Sequence, residues 1–302
     1  EQLAPGSGAY NVNLAVRVYG DLDLELLQDS VNEVVRRHES LRTTFANVDG
    51  TPQQTIKDQL ELVIALDIPD EAATPQYAEQ WAQRHAAQSF DLEHGPLLRF
   101  RCLRVSLDEH KVLLVMHHII SDGWSLGVLL HEVSALYDAY SRGADSPLSP
   151  LSIQYADFAT WQREWLAGSI LEDKLSYWRD KLRGVAPLAL PTDRPRPAVQ
   201  TYHGRTIQQR IAPDILSRLH ELSDQHEVTL FMTLLSAFNV LMSRYSGQDD
   251  ITVGSPIAGR NRQELEELIG FFVNTLVLRS NLSGDPSFVE LLQRVRQTTL
   301  DA

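Results

Sequence analysis

Four prolines lie within a short stretch of the chain, at positions 187, 191, 195 and 197 of its 302 residues. Because proline fixes φ and has no backbone N–H, this stretch cannot form a regular helix or strand. Patterns typical of strands and patterns typical of helices alternate on both sides of it. The sequence therefore predicts two α/β lobes, residues 1–183 and 202–302, with a connector over 184–201.

Hydrophobic periodicity and turn residues predict the elements of both lobes. Asp49-Gly50 lies between two strand patterns and is typical of a type I′ hairpin turn. In the first lobe, the predicted strands are 11–19, 42–48, 53–56, 60–66, 97–107 and 111–119, and the predicted helices are 21–39, 75–89, 124–140 and 153–183. In the second lobe, the predicted strands are 202–211, 251–255 and 273–279, and the predicted helices are 213–226, 228–245, 264–268 and 287–302.

The turn between strand 111–119 and helix 124–140 carries the most informative residues of the chain. It reads His-His-Ile-Ile-Ser-Asp-Gly-Trp-Ser and follows an apolar run, 112–116. Adjacent side chains on a strand point to opposite faces, so His117 and His118 cannot both face one cleft. We expect one histidine to be packed and hydrogen-bonded, and the other to be available for chemistry.

Three other interpretations of this turn compete with a catalytic one. Both histidines could be structural, with Asp122 or Ser125 capping the next helix. The interpretation as a metal site has less support, because two histidines on opposite faces of a strand cannot bind one ion together. His131-Glu132 does not begin an HExxH motif either, since Ala135 stands where that motif has its second histidine. A Ser121 triad is disfavoured, because no G-x-S-x-G elbow surrounds this serine. The residues alone leave the structural and catalytic interpretations open.

Composition indicates which kinds of partner and which cellular compartment to expect. A net charge of −13 argues against a nucleic-acid partner. Cys102 is the single cysteine, which rules out an internal disulfide and fits a reducing cytosol. The start of the sequence has no signal-peptide pattern, and the longest apolar stretch, 228–243, is too short to span a bilayer. We expect a cytoplasmic protein with no membrane or nucleic-acid partner and no metal.

Five segments, in this order, resemble the motifs of the condensation domains of nonribosomal peptide synthetases. They are 36–45 (RRHESLRTTF), 117–125 (HHIISDGWS), 155–161 (YADFATW), 190–197 (LPTDRPRP) and 269–275 (IGFFVNT). The resemblance implies the chloramphenicol-acetyltransferase-like fold, an α/β architecture with two pseudo-equivalent lobes and a tunnel between them. The family's first motif and its last two are absent, so we expect a domain truncated at both ends, with an incomplete C-terminal lobe.

By the same resemblance, such a domain is an acyltransferase-type enzyme that joins two building blocks held on carrier proteins. The α-amine of an aminoacyl thioester on a downstream carrier attacks the thioester of an aminoacyl or peptidyl donor on an upstream carrier, and an amide forms. Both substrates are carried on phosphopantetheine, and no cofactor binds the domain directly. The expected partners are the two peptidyl carrier proteins and an adjacent adenylation domain of a megasynthase. The Trp124 context resembles the subclass that accepts an L-configured donor.

The resemblance also implies which residues form the site. His118 would face the tunnel as the catalytic residue, either as a base or by positioning the amine, and His117 would be structural. Asp122 would hold the turn by pairing with an arginine of the other lobe, for which Arg260 is the candidate. Gly123 would either let the backbone approach the substrate or serve the turn alone. The candidates for lining the tunnel are Trp124, Ser125 and Asn274.

Two other functional classes stay open. An epimerization domain has a related fold and a similar histidine motif, but Trp124-Ser125 after the glycine and the Arg37-His38-Glu39 segment favour condensation. A non-catalytic lobe that docks or gates carrier proteins is the second alternative, because the expected truncation bears on activity. A heterocyclizing relative would carry aspartates in place of the histidine pair, which this sequence does not.

Overall fold

A computed structural model describes residues 6–70, 73–199, 204 and 206–302. The chain divides into two compact units. The first unit comprises Glu1–Trp165 and Ala258–Val273, and the second unit comprises Leu166–Ile257 and Asn274–Ala302. Each unit has a buried apolar cluster of its own.

A sheet with the strand order β1-β6-β5-β4 forms the framework of the first unit. Its strands are β1 (Asn11–Tyr19), β4 (Ala65–Asp67), β5 (Leu98–Arg104) and β6 (Glu109–His117). The pairs β1–β6 and β6–β5 are antiparallel, whereas β4 pairs parallel with β5. Residues 112–117 of β6 are all buried, as the apolar run predicts for an inner strand. This strand brings the histidine pair to the end of the sheet.

The helices of the first unit pack on this sheet and on each other. They are α1 (Leu24–Arg37), α2 (Pro75–Ala86), α3 (Gly123–Ser141) and α4 (Tyr155–Trp165). The first three of them begin at side chains that accept hydrogen bonds from backbone N–H groups, namely Asp23, Thr74 and Asp122. Helix α1 packs against α3, and α2 contacts β1 and β6. The start of α3 is therefore fixed by both a cap and a buried face.

A β-hairpin follows α1 in the first unit. It consists of β2 (Thr43–Val48) and β3 (Thr51–Ile56), which pair antiparallel. The two turn residues, Asp49 and Gly50, have φ angles of 51° and 81°. Positive φ at both central residues is the mark of a type I′ turn, so the hairpin prediction is confirmed.

The second unit combines helices with a two-stranded antiparallel ladder. Its elements are α5 (Gly168–Lys181), α6 (Pro213–Gln225), α7 (Leu230–Ser246), β7 (Asp250–Ile257), β8 (Asn274–Asn281) and α8 (Phe288–Asp301). Ile251, Leu278, Leu292 and Val295 are among its buried apolar side chains. A capping box between Ser287 and Glu290 starts α8.

Within the described ranges, no single helix is both long and apolar enough to cross a membrane. Only α6 and α7 taken together reach that length and composition, and they are bent by 103° at the break between them.

Four predicted elements differ from the structure. The single helix over 153–183 is wrong: α4 ends at Trp165 and α5 begins at Gly168, whose φ of 57° is outside the helical range. The strand over 60–66 is wrong in extent, since only Ala65–Asp67 pairs with β5. The strand over 202–211 lies partly outside the described residues, and its described part, 206–211, has no regular structure. The short helix predicted over 264–268 differs as well, because a 3₁₀ helix over Gln263–Leu265 lies there instead. The other predicted strands and helices agree with the structure to within a few residues at their ends.

The two units do not follow the predicted lobe boundaries, 1–183 and 202–302. Helix α5 groups with the second unit, while residues 258–273, which come after the connector, group with the first. Side chains of the first unit, such as Ser40 and Ser125, bind the backbone of 258–273 and explain this grouping. Residues 184–199 of the predicted connector contain no helix or strand. The lobe boundaries themselves stay a prediction.

Candidate active site

The histidine turn is held at both ends by backbone hydrogen bonds. Strand β6 ends at His117, and a short 3₁₀ turn over His118–Ile120 leads to the cap of α3. The His117 N–H donates to the Leu97 carbonyl at 2.9 Å, and the His118 N–H donates to the Tyr10 carbonyl at 2.8 Å. Both acceptor carbonyls lie directly before a neighbouring strand of the sheet. The two bonds therefore fix the backbone positions of the histidines.

His117 is packed inside the first unit. Its side chain is buried, and its Nδ1 accepts a hydrogen bond from the Ile119 N–H at 3.1 Å. The rings of Tyr10 and Phe90 flank it, with centroids 6.1 and 6.2 Å away. This environment is the one expected of the structural member of the pair.

His118 is only half-buried and has a defined ring orientation. Its Nδ1 lies 2.7 Å from the Ser121 carbonyl oxygen. Because a carbonyl oxygen only accepts, Nδ1 must carry the proton in this contact. In the neutral ring, Nε2 then carries the lone pair, which is the state that a general base needs.

Asp122 is the centre of a buried network below the turn. Its Oδ1 accepts from the Ser125 N–H at 2.8 Å and from the Ser125 hydroxyl at 2.7 Å, which makes it the cap of α3. The Arg260 Nη2 donates to the same oxygen at 3.2 Å, and the Phe272 N–H donates to Oδ2 at 3.1 Å. The side chains of Asp122 and Arg260 are 0% and 1% exposed, so this ion pair is desolvated and needs each of its hydrogen bonds.

Arg260, the predicted partner of Asp122, belongs to the same unit as Asp122 and not to a separate one. Besides the carboxylate, its guanidinium donates to the Leu265 carbonyl and, at 2.7 Å, to the Leu268 carbonyl. It also lies 4.0 Å from the centroid of the Phe272 ring. Burial lowers the pKa of Arg260, and the negative charge of Asp122 opposes that shift.

Ser125 has no exposed surface, which is at odds with its predicted place on a tunnel wall. Its Oγ is 2.9 Å from Arg260 Nη2 and 3.1 Å from the Gly270 N–H, both of which donate to it. Its single hydroxyl proton is directed to Asp122 Oδ1 or to the Gly270 carbonyl, 2.9 Å away. The serine therefore joins the cap of α3 to the 258–273 segment.

The remaining predicted residues lie at surfaces of their units. Trp124 is 48% exposed, and its Nε1 donates to the Glu266 carbonyl at 2.9 Å. A cavity of about 680 Å³ opens beside it, with Gly123 in its wall. Asn274 is exposed and begins β8 in the second unit. The predictions that Trp124 and Asn274 line a substrate tunnel stay predictions.

Sequence reasoning missed a second buried charge cluster in the first unit. Glu132 of α3 accepts from Arg37 Nε at 2.9 Å and from His38 Nε2 at 2.8 Å. Burial on its own raises the pKa of Glu132, but the hydrogen bonds and charges of His38 and Arg37 outweigh it and lower the pKa. The available signal was a lone glutamate between the apolar positions Leu129 and Val133 of an otherwise amphipathic helix.

Both clusters bind the backbone of the 258–273 segment. The Ser40 hydroxyl donates to the Ile269 carbonyl at 2.6 Å, and the Ile269 N–H donates to His38 Nδ1 at 3.3 Å. At Gly270 the segment passes so close to Tyr155 that an added Cβ would overlap the tyrosine ring. Three of the five sequence motifs therefore meet residues 269–273 of a fourth within the first unit.

Metal-ion binding and thiol chemistry depend on particular side-chain arrangements among the described residues. Among them, no group of three or more histidine, cysteine, aspartate or glutamate side chains is arranged to hold a metal ion. Cys102 lies buried in β5, and burial raises the pKa of its thiol to about 11. A thiol with that pKa is almost wholly protonated at neutral pH and is a poor nucleophile.

The elements and the site together define a mixed α/β protein with a histidine base candidate at a strand-to-helix turn. A crystal structure of the X-domain from teicoplanin biosynthesis matches 97% of the chain with a TM-score of 0.87 and 29% identity, over 65% of that structure. The first condensation domain of the CDA synthetase matches 99% with a TM-score of 0.80, over 72% of that structure; at 18% identity it supports the fold alone. The predicted chloramphenicol-acetyltransferase-like fold is confirmed.

The chain belongs to the Condensation domain family, whose model matches residues 1–302. A polypeptide of the linear gramicidin synthase of Brevibacillus parabrevis is 50% identical over 306 residues. That alignment covers 100% of the chain and 6% of the gramicidin synthase polypeptide. The family assignment made from the five motifs is confirmed. Condensation domains of such synthetases catalyse amide-bond formation, an acyltransferase-type activity.

Proposed function

We propose that this chain catalyses amide-bond formation between two carrier-bound substrates. The donor is an aminoacyl or peptidyl thioester on an upstream carrier protein, and the acceptor is the α-amine of an aminoacyl thioester on a downstream carrier. The proposal builds on membership of the Condensation domain family. The observation that carries it is the orientation of His118, whose Nδ1 donates to the Ser121 carbonyl at 2.7 Å.

A neutral His118 with its proton on Nδ1 offers the Nε2 lone pair to the acceptor amine. The amine nitrogen attacks the thioester carbonyl carbon, a C–N bond forms, and the C–S bond breaks. The proton lost from nitrogen passes to Nε2 and is then available to the departing thiolate of the donor arm. A free α-amine has a pKa of about 8, so part of the acceptor amine is neutral near pH 7.

Proton removal by the base makes only a modest contribution, because part of the amine is already deprotonated. Holding the amine close to the thioester carbonyl is then as important as accepting its proton. The same Nε2 atom serves either purpose, since it accepts a hydrogen bond from the amine N–H before it accepts the proton.

The residues around His118 have supporting roles in this proposal. Asp122, Ser125 and Arg260 hold the start of α3, and His117 holds the end of β6. An added Cβ at position 123 would meet nothing within 4 Å, so crowding within the unit does not call for glycine there. Close approach of a substrate is the reason we assign to Gly123.

Carrier proteins and an adenylation domain of the same synthetase are the proposed partners. Phosphopantetheine is part of the substrates in this scheme, and no cofactor is assigned to the chain itself. Trp124 and Asn274 are assigned to the walls along which the carrier arms approach. The donor is assigned the L configuration, on the resemblance of the Trp124 context alone.

The test is product formation by the full-length protein with two separately loaded carrier proteins. The His118→Ala variant should lose about 10²–10⁴-fold in turnover, the usual contribution of an acid-base group. A His94→Ala variant is the matched control, because the side chain of His94 is 77% exposed and lies outside the turn. Loading of both carriers should be the same for all three proteins. Turnover of His118→Ala near that of the parent would overturn the catalytic role.

The same assay separates the other functional classes. Inversion of the donor's α-carbon without a new amide would identify an epimerization domain. Carrier binding without any chemical change, in parent and variants alike, would identify a docking or gating role. Either result would replace amide-bond formation as the function of the chain.

A further inference from the structure

An aromatic ring from a distant part of the chain lies against His118. The ring centroids of Phe271 and His118 are 5.0 Å apart, and their planes cross at 80°. This T-shaped arrangement is one of the two that aromatic pairs prefer. Phe271 is 41% exposed, so its ring is not simply buried core. It occupies the position between Gly270 and Phe272 in the 269–275 motif.

The backbone on both sides of Phe271 is fixed by other side chains. The Gly270 N–H donates to Ser125 Oγ at 3.1 Å, and the Gly270 carbonyl lies 2.9 Å from the same oxygen. The Tyr155 hydroxyl donates to the Phe271 carbonyl at 2.9 Å, and the Phe272 N–H donates to Asp122 at 3.1 Å. These contacts fix the backbone from which the Phe271 side chain extends toward His118.

Two contacts act on the orientation of the His118 ring. A hydrogen bond from Nδ1 to the Ser121 carbonyl orients the imidazole. Rotation of the ring by half a turn would exchange Nδ1 and Cδ2, break that bond and direct Nε2 elsewhere. A ring packed at right angles limits the space in which the imidazole can tilt and turn, so it opposes movement away from that hydrogen bond.

We propose that Phe271 is a positioning residue for His118, which confines the imidazole to the orientation with Nδ1–H on the Ser121 carbonyl and the lone pair on Nε2. The importance for turnover rests on the proposed amide-forming function, whereas the effect on the ring does not. The buried hydrogen bonds of the 258–273 segment then have a purpose at the site, because they hold Phe271 in place.

The first consequence of this positioning role is that loss of the Phe271 ring lowers turnover. In the full-length protein, Phe271→Ala should lower kcat about 3- to 10-fold and change KM less than about 2-fold, because the ring acts on the base and not on substrate binding. Phe271→Tyr keeps the ring and should stay near the parent, while Phe271→Leu, with bulk but no ring, should fall between. Phe238→Ala is the matched control, since Phe238 is 44% exposed on α7 of the second unit.

The second consequence is that loss of the Phe271 ring changes which nitrogen of His118 carries the proton, and it is measured without turnover. Selective ¹⁵N labelling of histidine and long-range ¹⁵N–¹H correlation should show the Nδ1–H tautomer at His118 in the parent and in Phe271→Tyr. Phe271→Ala and Phe271→Leu should show a mixture of both tautomers, and Phe238→Ala should match the parent. If Phe271→Ala does not fold, the folded Leu and Tyr variants decide between the outcomes.

The outcomes separate this inference from the proposed function. A parent that forms no amide but shows the expected tautomer change overturns the proposed function and supports the positioning role. An active parent whose tautomer and kcat are both unchanged in the folded Leu variant overturns the positioning role. A fall in kcat with an unchanged tautomer overturns it as well, because the effect would then come from substrate contact or folding.

Discussion

The two units bury different kinds of polar groups. The first unit encloses charged side chains, with the Asp122–Arg260 pair at 3.2 Å and the Glu132–His38 contact at 2.8 Å. In the second unit, the Asn239 amide donates to the Ser280 hydroxyl at 2.9 Å inside the core. The ion pair of Arg279 and Asp250 is close, at 2.7 Å, but its side chains are 25% and 42% exposed. Charge is therefore desolvated in the unit that carries the histidine turn.

This difference indicates what the buried charges contribute. Removing two charges from water costs several kcal/mol per ion, and a well-packed apolar pair is often at least as stable. The charges of the first unit instead bind backbone that has no helix or strand partner, such as Leu268 and Phe272. Their benefit is geometric, because they place an irregular segment against the histidine turn.

The largest expected difference between the units follows from Arg260→Met. This change leaves Asp122 charged and buried without its partner, which typically costs about 3–5 kcal/mol. Amide hydrogen exchange, read by mass spectrometry on peptides from each unit, measures the loss locally. Protection should fall in β6, α3 and 258–273 and stay unchanged in α8.

Arg262→Met is the control for that experiment. Arg262 is exposed and lies 5.0 Å from the Trp161 ring, so its loss should cost about 0.5–1 kcal/mol at most. An equal loss of protection in both units for Arg260→Met would show that they unfold together and that the contrast between them is only one of composition.

A smaller effect, with a defined pH window, is expected for Glu132→Gln. The folded state holds the pKa of Glu132 below its ordinary value of 4.5, so the ionised carboxylate stabilises the fold. This contribution is complete above the unfolded pKa and is lost as the pH falls from about 4.5 through the lowered folded pKa. At neutral pH the variant should lose about 2–3 kcal/mol in the first unit.

The difference between Glu132→Gln and the parent should therefore shrink as the pH is lowered below that window. Glu267→Gln, at an exposed position of the 258–273 segment, provides a variant with the same chemical change and no buried partner. A gap between Glu132→Gln and the parent that stays constant from neutral to acidic pH would mean that the carboxylate is not stabilised by its charge.

The strand, the turn and the helix around the histidines could be predicted because each depends on local sequence. The apolar run 112–116 indicated a buried strand, and Asp122 was a named candidate for the cap of α3. The alternation argument was incomplete, however. His118 does not lie on the strand but begins a 3₁₀ turn, and its exposure follows from that turn.

The rest of the site depends on contacts between residues far apart in the chain. Glu132 meets His38 across 94 residues, and the Phe272 N–H meets Asp122 across 150. Hydrophobic periodicity within a window of residues carries no information on such pairs. The contact of Phe271 with His118 was missed for the same reason, although both lie in or beside recognisable motifs. The pairing of Asp122 with Arg260 is the one such distant contact that was predicted, and that prediction came from family resemblance.

The smallest effect is expected for Asp301→Asn in the second unit. The Asp301 carboxylate lies 3.6 Å from Lys181 Nζ, and the two side chains are 37% and 27% exposed. Solvent and salt screen such a pair, so the variant should lose about 0.5 kcal/mol or less, measured by hydrogen exchange in α5 and α8. The loss should vanish at about 1 M salt, where the screening length is about 3 Å. A salt-independent loss of several kcal/mol would place a desolvated charge in the second unit too and would remove the contrast between the units.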